Sequence, residues 1–233
     1  MMLKMMRTLL ISLVLLTVLG ATPGPCLALS PEEVVAEVQK KYADLTSLSA
    51  DYTRITRTPA MEGVFQSSSE QTASGLLQFK QQAKLSLNQG KPETELMVTD
   101  GKTVWWYIPG ENVVHLYDNV AVYEELKPLL DFLNGLSGLE GRFTIKAIPA
   151  GTANEYNHRL DLQRLTEGSG PTGITVWFRP QDYNLVGFRL TSLTGEATDF
   201  NLTNLVLNPE LEDSVFTFRI PPGTEVLEET DKP

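Results

Sequence analysis

Side chains able to make or break bonds are scarce. The 233-residue chain has two histidines, His115 and His158, and one cysteine, Cys26. Zinc sites of the usual Cys/His kind and disulfide frameworks within the chain are therefore excluded. The histidines fall on different predicted strands. His158 and Asp161 are three apart on one strand, so their side chains point to opposite faces and form no acid–base pair. A catalytic serine needs a base, and no G-x-S-x-G elbow occurs. There is no H-E-x-x-H, Walker loop or G-x-G-x-x-G either. Gly101-Lys102 lacks the upstream glycine of a phosphate loop and reads as a hairpin turn. Glu124 and Glu125 are adjacent on a predicted helix, so they do not stack on one face. Glu93 and Glu95 share a strand face and read as a solvated edge. The expectation is a chain with no catalytic site, no metal and no cofactor.

Charge excludes further classes. Nineteen Lys+Arg against 29 Asp+Glu give a net −10. A nucleic-acid binder normally shows the opposite sign, and so does a protein docking on anionic lipid. With 42% apolar and 21% charged residues, the chain can build a core.

Residues 1–28 read as a secretory leader. Lys4 and Arg7 precede the 12-residue apolar run LLISLVLLTVLG, and Cys26-Leu27-Ala28 offers small residues for cleavage after Ala28. The run is short for a permanent span, which needs about 20 residues. Cys26 has a second reading as a lipid-modified cysteine, although Pro25 stands where a small residue is usual. Cleavage after Ala28 leaves residues 29–233 as one domain, with 17 basic and 29 acidic residues and a net −12. That charge disfavours clinging to anionic lipid, and a soluble monomer is the expectation.

Ser30-Pro31-Glu32-Glu33 is a capping box with proline in the first turn, and Val34, Val35, Val38, Tyr42 and Leu45 follow at helical spacing, which predicts an amphipathic helix of about four turns. About eleven strands follow, over 49–57, 71–80, 85–88, 95–99, 103–108, 113–117, 142–148, 155–164, 173–179, 185–192 and 197–207. Short turns such as Asp100-Gly101 join most of them. The order predicts a mainly β fold, one curved antiparallel sheet or incomplete barrel, with no parallel Rossmann-type alternation. Residues 121–139 interrupt it with a leucine-rich helical pattern broken by Pro128, Gly135 and Gly138. The two helical pieces have apolar faces that only the concave side of such a sheet can cover. They either plug it as an ordinary core or form a lid over a cavity for apolar ligand. Trp105, Trp106 and Tyr107 put large rings on both faces of one strand, so each face is buried or lines a pocket.

The segment Val98-Thr99-Asp100-Gly101-Lys102-Thr103-Val104-Trp105-Trp106-Tyr107-Ile108-Pro109 resembles the "V-S-D-G-K-T-L-W-x-Y-x-P" run of the LolA family of periplasmic lipoprotein carriers. Leu48–Thr53, Gly75–Lys80, Lys127–Leu130 and Phe216–Gly223 are similar to further family segments in the same order. The resemblance implies an unclosed antiparallel β-barrel with a helical lid over a hydrophobic cavity. It implies that acylated lipoproteins are received from an inner-membrane lipoprotein-releasing ABC transporter and passed to an outer-membrane acceptor. Rivals on the same fold are a lipoprotein acceptor anchored through Cys26 and a lipid-sensing periplasmic protein.

On this reading Leu77, Phe79, Leu85, Leu87, Leu96 and Val98 line the sheet side of the cavity. Leu126, Leu129, Leu130 and Leu133 line the lid side. The family's "K-R-P-x-x-F-R/N-W" run is replaced by Lys80-Gln81-Gln82-Ala83-Lys84-Leu85-Ser86-Leu87. Its latch arginine therefore falls at Gln81, which keeps hydrogen bonding and loses the charge.

Overall fold

A computed structural model describes residues 29–59, 69–118, 143–152, 155–164, 173–192 and 194–229. Residues 1–28, read as a leader and including Cys26, and the segment bearing Leu126, Leu129, Leu130 and Leu133 lie outside the described residues.

The helix α1 spans Pro31–Tyr42. Ser30 Oγ accepts from the Glu33 amide at 3.2 Å, and the Glu33 carboxylate accepts in turn from the Ser30 amide at 2.7 Å. The predicted capping box is present, and the helix is three turns long rather than four. Leu45, read as its last apolar position, lies beyond the helix and is still buried.

Twelve strands follow: β1 (Ser47–Thr58), β2 (Ser69–Lys80), β3 (Lys84–Lys91), β4 (Glu95–Thr99), β5 (Thr103–Ile108), β6 (Val113–Asp118), β7 (Phe143–Ile148), β8 (His158–Arg164), β9 (Gly173–Phe178), β10 (Leu185–Thr191), β11 (Ala197–Leu207) and β12 (Glu225–Glu229). Among the described residues they form one sheet in the order β12-β6-β5-β4-β3-β2-β1-β11-β10-β9-β8-β7, with β12 and β7 at its two ends. The eleven strands expected from sequence are all present and pair antiparallel. The twelfth is an addition and runs parallel to β6. Its sequence, EVLEE, alternates poorly and is exposed, so periodicity alone carries no signal for it.

Local chemistry fixes the joints. In the β4–β5 hairpin, Asp100 Oδ1 accepts from the amides of Lys102 (2.8 Å) and Thr103 (2.9 Å). Gly101 holds a φ of +91°, and a Cβ there would lie 2.2 Å from the Gln82 carbonyl oxygen. The motif glycine thus seats this hairpin directly on the β2–β3 turn. In β2, the register shifts between Ser74 and Gly75, and a Cβ on Gly75 would fall 2.0 Å from the Asn88 carbonyl oxygen. A glycine at such a bulge lets the sheet bend sharply.

The inner face is apolar at one end. Val34, Val38 and Tyr42 of α1 pack in a single cluster with Leu48 and Ala50 of β1, Leu77 and Phe79 of β2, and Leu160, Val176 and Phe178 of the far strands. Each fully buried valine contributes about 1.5 kcal/mol or more. The Tyr42 hydroxyl donates to the Tyr183 carbonyl at 3.1 Å and accepts from the Leu185 amide at 2.7 Å. Burial raises the Tyr42 pKa to about 12; the Leu185 hydrogen bond works against this and Asp182 adds to it. Of the two readings open for the first helix, the packing matches the plug: α1 stops one end of the curled sheet.

The outer face is partly covered as well. The C-terminal segment crosses it, with Phe216 fully buried and the Phe218 ring 5.2 Å from Tyr107. Lys80 Nζ anchors this segment at the Leu211 carbonyl (2.8 Å) and Asp213 (2.6 Å), and Lys84 Nζ adds a second bond to Asp213 at 3.1 Å. Both lysines hold the exposed Asp213 carboxyl below its usual pKa.

Candidate functional site: an inner-face cavity

A cavity of about 560 Å³ lies on the inner face, between β1–β5 on one side and β10–β11 on the other. Strands β5 and β10 stand six places apart in the sheet order. In a flat sheet they would be about 29 Å apart. Trp106 of β5 and Leu190 of β10 nevertheless border the same space, so the sheet must curl around it.

Cross-strand register decides which residues face inward, because directly paired residues of an antiparallel ladder share a face. Leu77 stands opposite Leu87, Leu87 opposite Met97, and Met97 opposite Trp106. On the other wall Phe188 stands opposite Phe200, their rings 4.6 Å apart and nearly parallel, with Tyr52 5.6 Å from Phe200. These residues make an apolar wall. Leu85 and Leu190 extend the apolar wall, and Arg54, Thr56, Gln71, Gln89, Glu95, Glu196 and Thr198 complete the lining.

Of the expected sheet-side residues, Leu77, Leu85 and Leu87 border the cavity. Phe79 shares their face and is fully buried in the core beneath α1. Leu96 and Val98 are on the other face: Val98 pairs with Ser86 and Trp105, and Leu96 with Asn88 and Tyr107. The inward residue between them is Met97. Strand β4 is apolar on both faces because the C-terminal segment covers its outer side, so alternation could not reveal the phase. Gln81 lies in the β2–β3 turn. Its Nε2 donates to the Leu45 carbonyl at 2.8 Å and its amide to the Thr46 carbonyl at 2.8 Å. It therefore ties the sheet to the segment that follows α1.

Several lining residues were not anticipated, namely Tyr52, Arg54, Met97, Phe188 and Phe200. Counting inward by twos from Leu48 along β1 would have found Tyr52 and Arg54. Trp106 carries the inward ring of the Trp105–Tyr107 run, and its Nε1 donates to Glu95 at 3.1 Å. Burial raises the Tyr52 hydroxyl pKa, while Arg54 lowers it and Glu95 raises it, so both charges bear on one point of the wall.

Neither histidine is among the residues lining the cavity. His158 is buried and stacks flat on Tyr183 at 5.2 Å, and its Nδ1 accepts from the Ala150 amide at 3.0 Å. Its Nε2 has no hydrogen-bond partner among the described residues, and burial lowers its pKa, so the ring is held neutral. Asp161 faces the other side, bonded to Arg159 and Thr175. His115 pairs with Trp106 across the β5–β6 ladder, their rings 5.2 Å apart and tilted by 30°. The described part of the cavity offers burial and a few polar contacts.

The sequence profile described as "Outer membrane lipoprotein carrier protein LolA" matches residues 46–219. An outer-membrane lipoprotein carrier protein of Idiomarina loihiensis is 28% identical over 156 residues, which are 67% of this chain and 71% of that protein. One from Psychromonas ingrahamii is 24% identical over 197 residues, 81% of this chain and 84% of that protein. A crystal structure of a LolA superfamily protein from Nitrosomonas europaea aligns with a TM-score of 0.43 at 10% identity, covering 82% of this chain and 99% of that one. With three quarters of its length under that profile, from the first strand to the segment across the outer face, the chain belongs to the LolA family.

Proposed function

We propose that this protein is a periplasmic carrier that buries the acyl chains of lipoproteins in the inner-face cavity. It receives them from an inner-membrane ABC transporter and gives them up to an outer-membrane acceptor. The supporting observation is the cavity wall of Leu77, Leu85, Leu87, Met97, Phe188 and Phe200 inside a curled sheet, in a chain of this family. Each acyl CH₂ exposed to water costs about 0.8 kcal/mol, so transit demands burial. Release demands a wall without tight anchors, and transfer demands differential affinity between successive partners rather than bond chemistry. No catalytic step and no cofactor enters this scheme. Leu126, Leu129, Leu130 and Leu133 supply the cover over the chains. The leader supplies the route to the periplasm.

The test is purification from native periplasm under gentle conditions, followed by mass spectrometry of what co-purifies. Acylated proteins in stoichiometric amount are expected, and their absence would sink the carrier reading. Mass spectrometry of the mature N-terminus separates this reading from an anchored acceptor, which requires lipid on Cys26.

A further inference from the structure

The inner face changes character along the strand direction. Toward α1 the inward residues are Leu77, Leu85, Leu87 and Met97. Two residues beyond Leu87 and Met97, β3 and β4 carry polar side chains. Gln89 follows Leu87 on β3, and Glu95, its cross-strand partner, continues the face from Met97 on β4. On β1 the sequence of inward residues is Leu48, Ala50, Tyr52, Arg54 and Thr56, and Thr56 pairs with Gln71 and Thr198. The polar residues therefore occupy successive levels of the inner face: Gln89 and Glu95 beside Tyr52, then Arg54, then Thr56 with Gln71 and Thr198. The β1–β4 wall thus has an apolar end under α1 and a polar end away from it, while Phe188, Phe200 and Leu190 keep the β10–β11 wall apolar beside that polar end.

Arg54 is the cation of that polar end. Its Nη2 donates to Gln89 Oε1 at 2.9 Å, and Gln89, itself buried, is held by its Nε2 donating to the Glu93 carbonyl at 3.0 Å. The arrangement differs from the outer-face arginines Arg57 and Arg189, which both pair with Asp199. Arg54 forms no ion pair among the described residues, although two carboxylates stand at the same end. Glu95 is engaged by Trp106 Nε1 at 3.1 Å and Glu196 by Thr58 Oγ1 at 3.2 Å. A guanidinium facing a cavity is costly unless its remaining N–H donors meet acceptors. A space meant for hydrocarbon alone has no use for one.

We propose that Arg54 is the head-group contact of the cavity, donating to the ester or amide oxygens of an amphiphile whose acyl chains run from it toward α1. This rests on the carrier reading and deepens it. The neighbouring Glu95 and Glu196 make a bare carboxylate head a poorer fit than an uncharged, oxygen-rich one. The preferred ligand is thus an acyl ester or amide rather than a free fatty acid. The glyceryl esters of a lipid-modified cysteine and those of an ordinary glycerolipid share this chemistry.

The test measures affinities of the full mature chain for four probes: monopalmitoylglycerol, palmitate, a triacylated cysteinyl peptide and hexadecyltrimethylammonium. Arg54→Met and Arg54→Lys are compared with the unaltered protein. Wild type should bind the glyceryl ester more tightly than palmitate. R54M should weaken the ester and the lipopeptide about tenfold, the effect of one charge-assisted hydrogen bond. It should leave hexadecyltrimethylammonium unchanged or tighter, which also proves the cavity intact. R54K should recover part of the loss. A loss confined to the ester, or confined to the lipopeptide, supports the contact and identifies the source of the head group. Equal weakening of all four probes by R54M, or no weakening of any oxygen-headed one, overturns the assignment while leaving the carrier reading standing. Failure of the wild type to bind any probe overturns both.

Discussion

Leu87 and Leu96 form a matched pair for testing the cavity. Both are half-buried, both lie in the β3–β4 ladder, and the register puts them on opposite faces. Leu87 is flanked on the inner face by Leu77 and Met97, whereas Leu96 stands beside Tyr107 on the outer face. Leu87→Asp replaces a section of apolar wall by a carboxyl and keeps an acyl chain from lying there. Losing contact for three methylenes removes about 2.4 kcal/mol, roughly a 60-fold weakening. Leu96→Asp changes the same chemistry by the same amount on the other face and should shift affinity less than about twofold. The carboxyl introduced by L87D is desolvated, so its pKa rises, and binding should be partly restored between about pH 8 and pH 5 as it becomes neutral. The assay is displacement of a fluorescent acyl probe, with a thermal melt to show that both variants are folded. Equal loss in the two variants, or loss in L96D alone, would refute the assignment of faces. An unchanged affinity in a folded L87D would remove the wall from the site.

Three further outcomes test what holds the cavity in shape. Tyr42→Phe leaves the Leu185 amide and the Tyr183 carbonyl without this hydroxyl and should cost about 1–3 kcal/mol in a urea melt; a change below about 0.5 kcal/mol would show that α1 is held by apolar packing alone. Gly75→Ala places a methyl 2.0 Å from the Asn88 carbonyl oxygen and should destabilise by about 1–3 kcal/mol, whereas Gly90→Ala, which meets nothing within 4 Å, should be near neutral; similar melting of the two would show that the bulge opens freely. Asp199 is desolvated, which pushes its carboxyl up, but hydrogen bonds and charge from Arg189 and Arg57 outweigh this and hold its pKa below the usual value. Its stabilisation is therefore fully present above about pH 4, the unfolded value, and is lost as pH falls through the lower folded value. Asp199→Asn should cost about 1–2 kcal/mol at pH 7, kept modest because both arginines are 42% exposed. The gap from wild type should close below about pH 4, and a gap that persists there would point to packing instead.

Much of this fold is legible in the amino-acid order because its determinants are local. Ser30 and Glu33 are three residues apart, so the capping box needs nothing beyond its own turn. Asp100-Gly101 closes the β4–β5 hairpin through bonds from Asp100 to the amides two and three residues on. Eleven strands follow from period-two alternation between such turns. The scarcity of histidine and cysteine, the leader grammar and the acidic balance are properties of composition, and packing does not alter them.

What the order of residues left open is where two faces compete. In β4 the run Leu96-Met97-Val98 is apolar throughout, so alternation has no phase. The inward residue is Met97 because the β3 and β5 registers place it opposite Leu87 and Trp106. Leu96 and Val98 are apolar for another reason: the outer side of this ladder is covered, Phe218 packing on Tyr107 beside them. Strand β12 is recruited by pairing with β6 rather than by any pattern of its own. Arg54 has the composition of a surface residue, and only the curl that brings β5 and β10 around one space turns its side chain into part of a cavity wall. A single sequence specifies local turns and two alternating faces. Which face closes on itself is decided by contacts between strands more than a hundred residues apart, such as Tyr52 with Phe200.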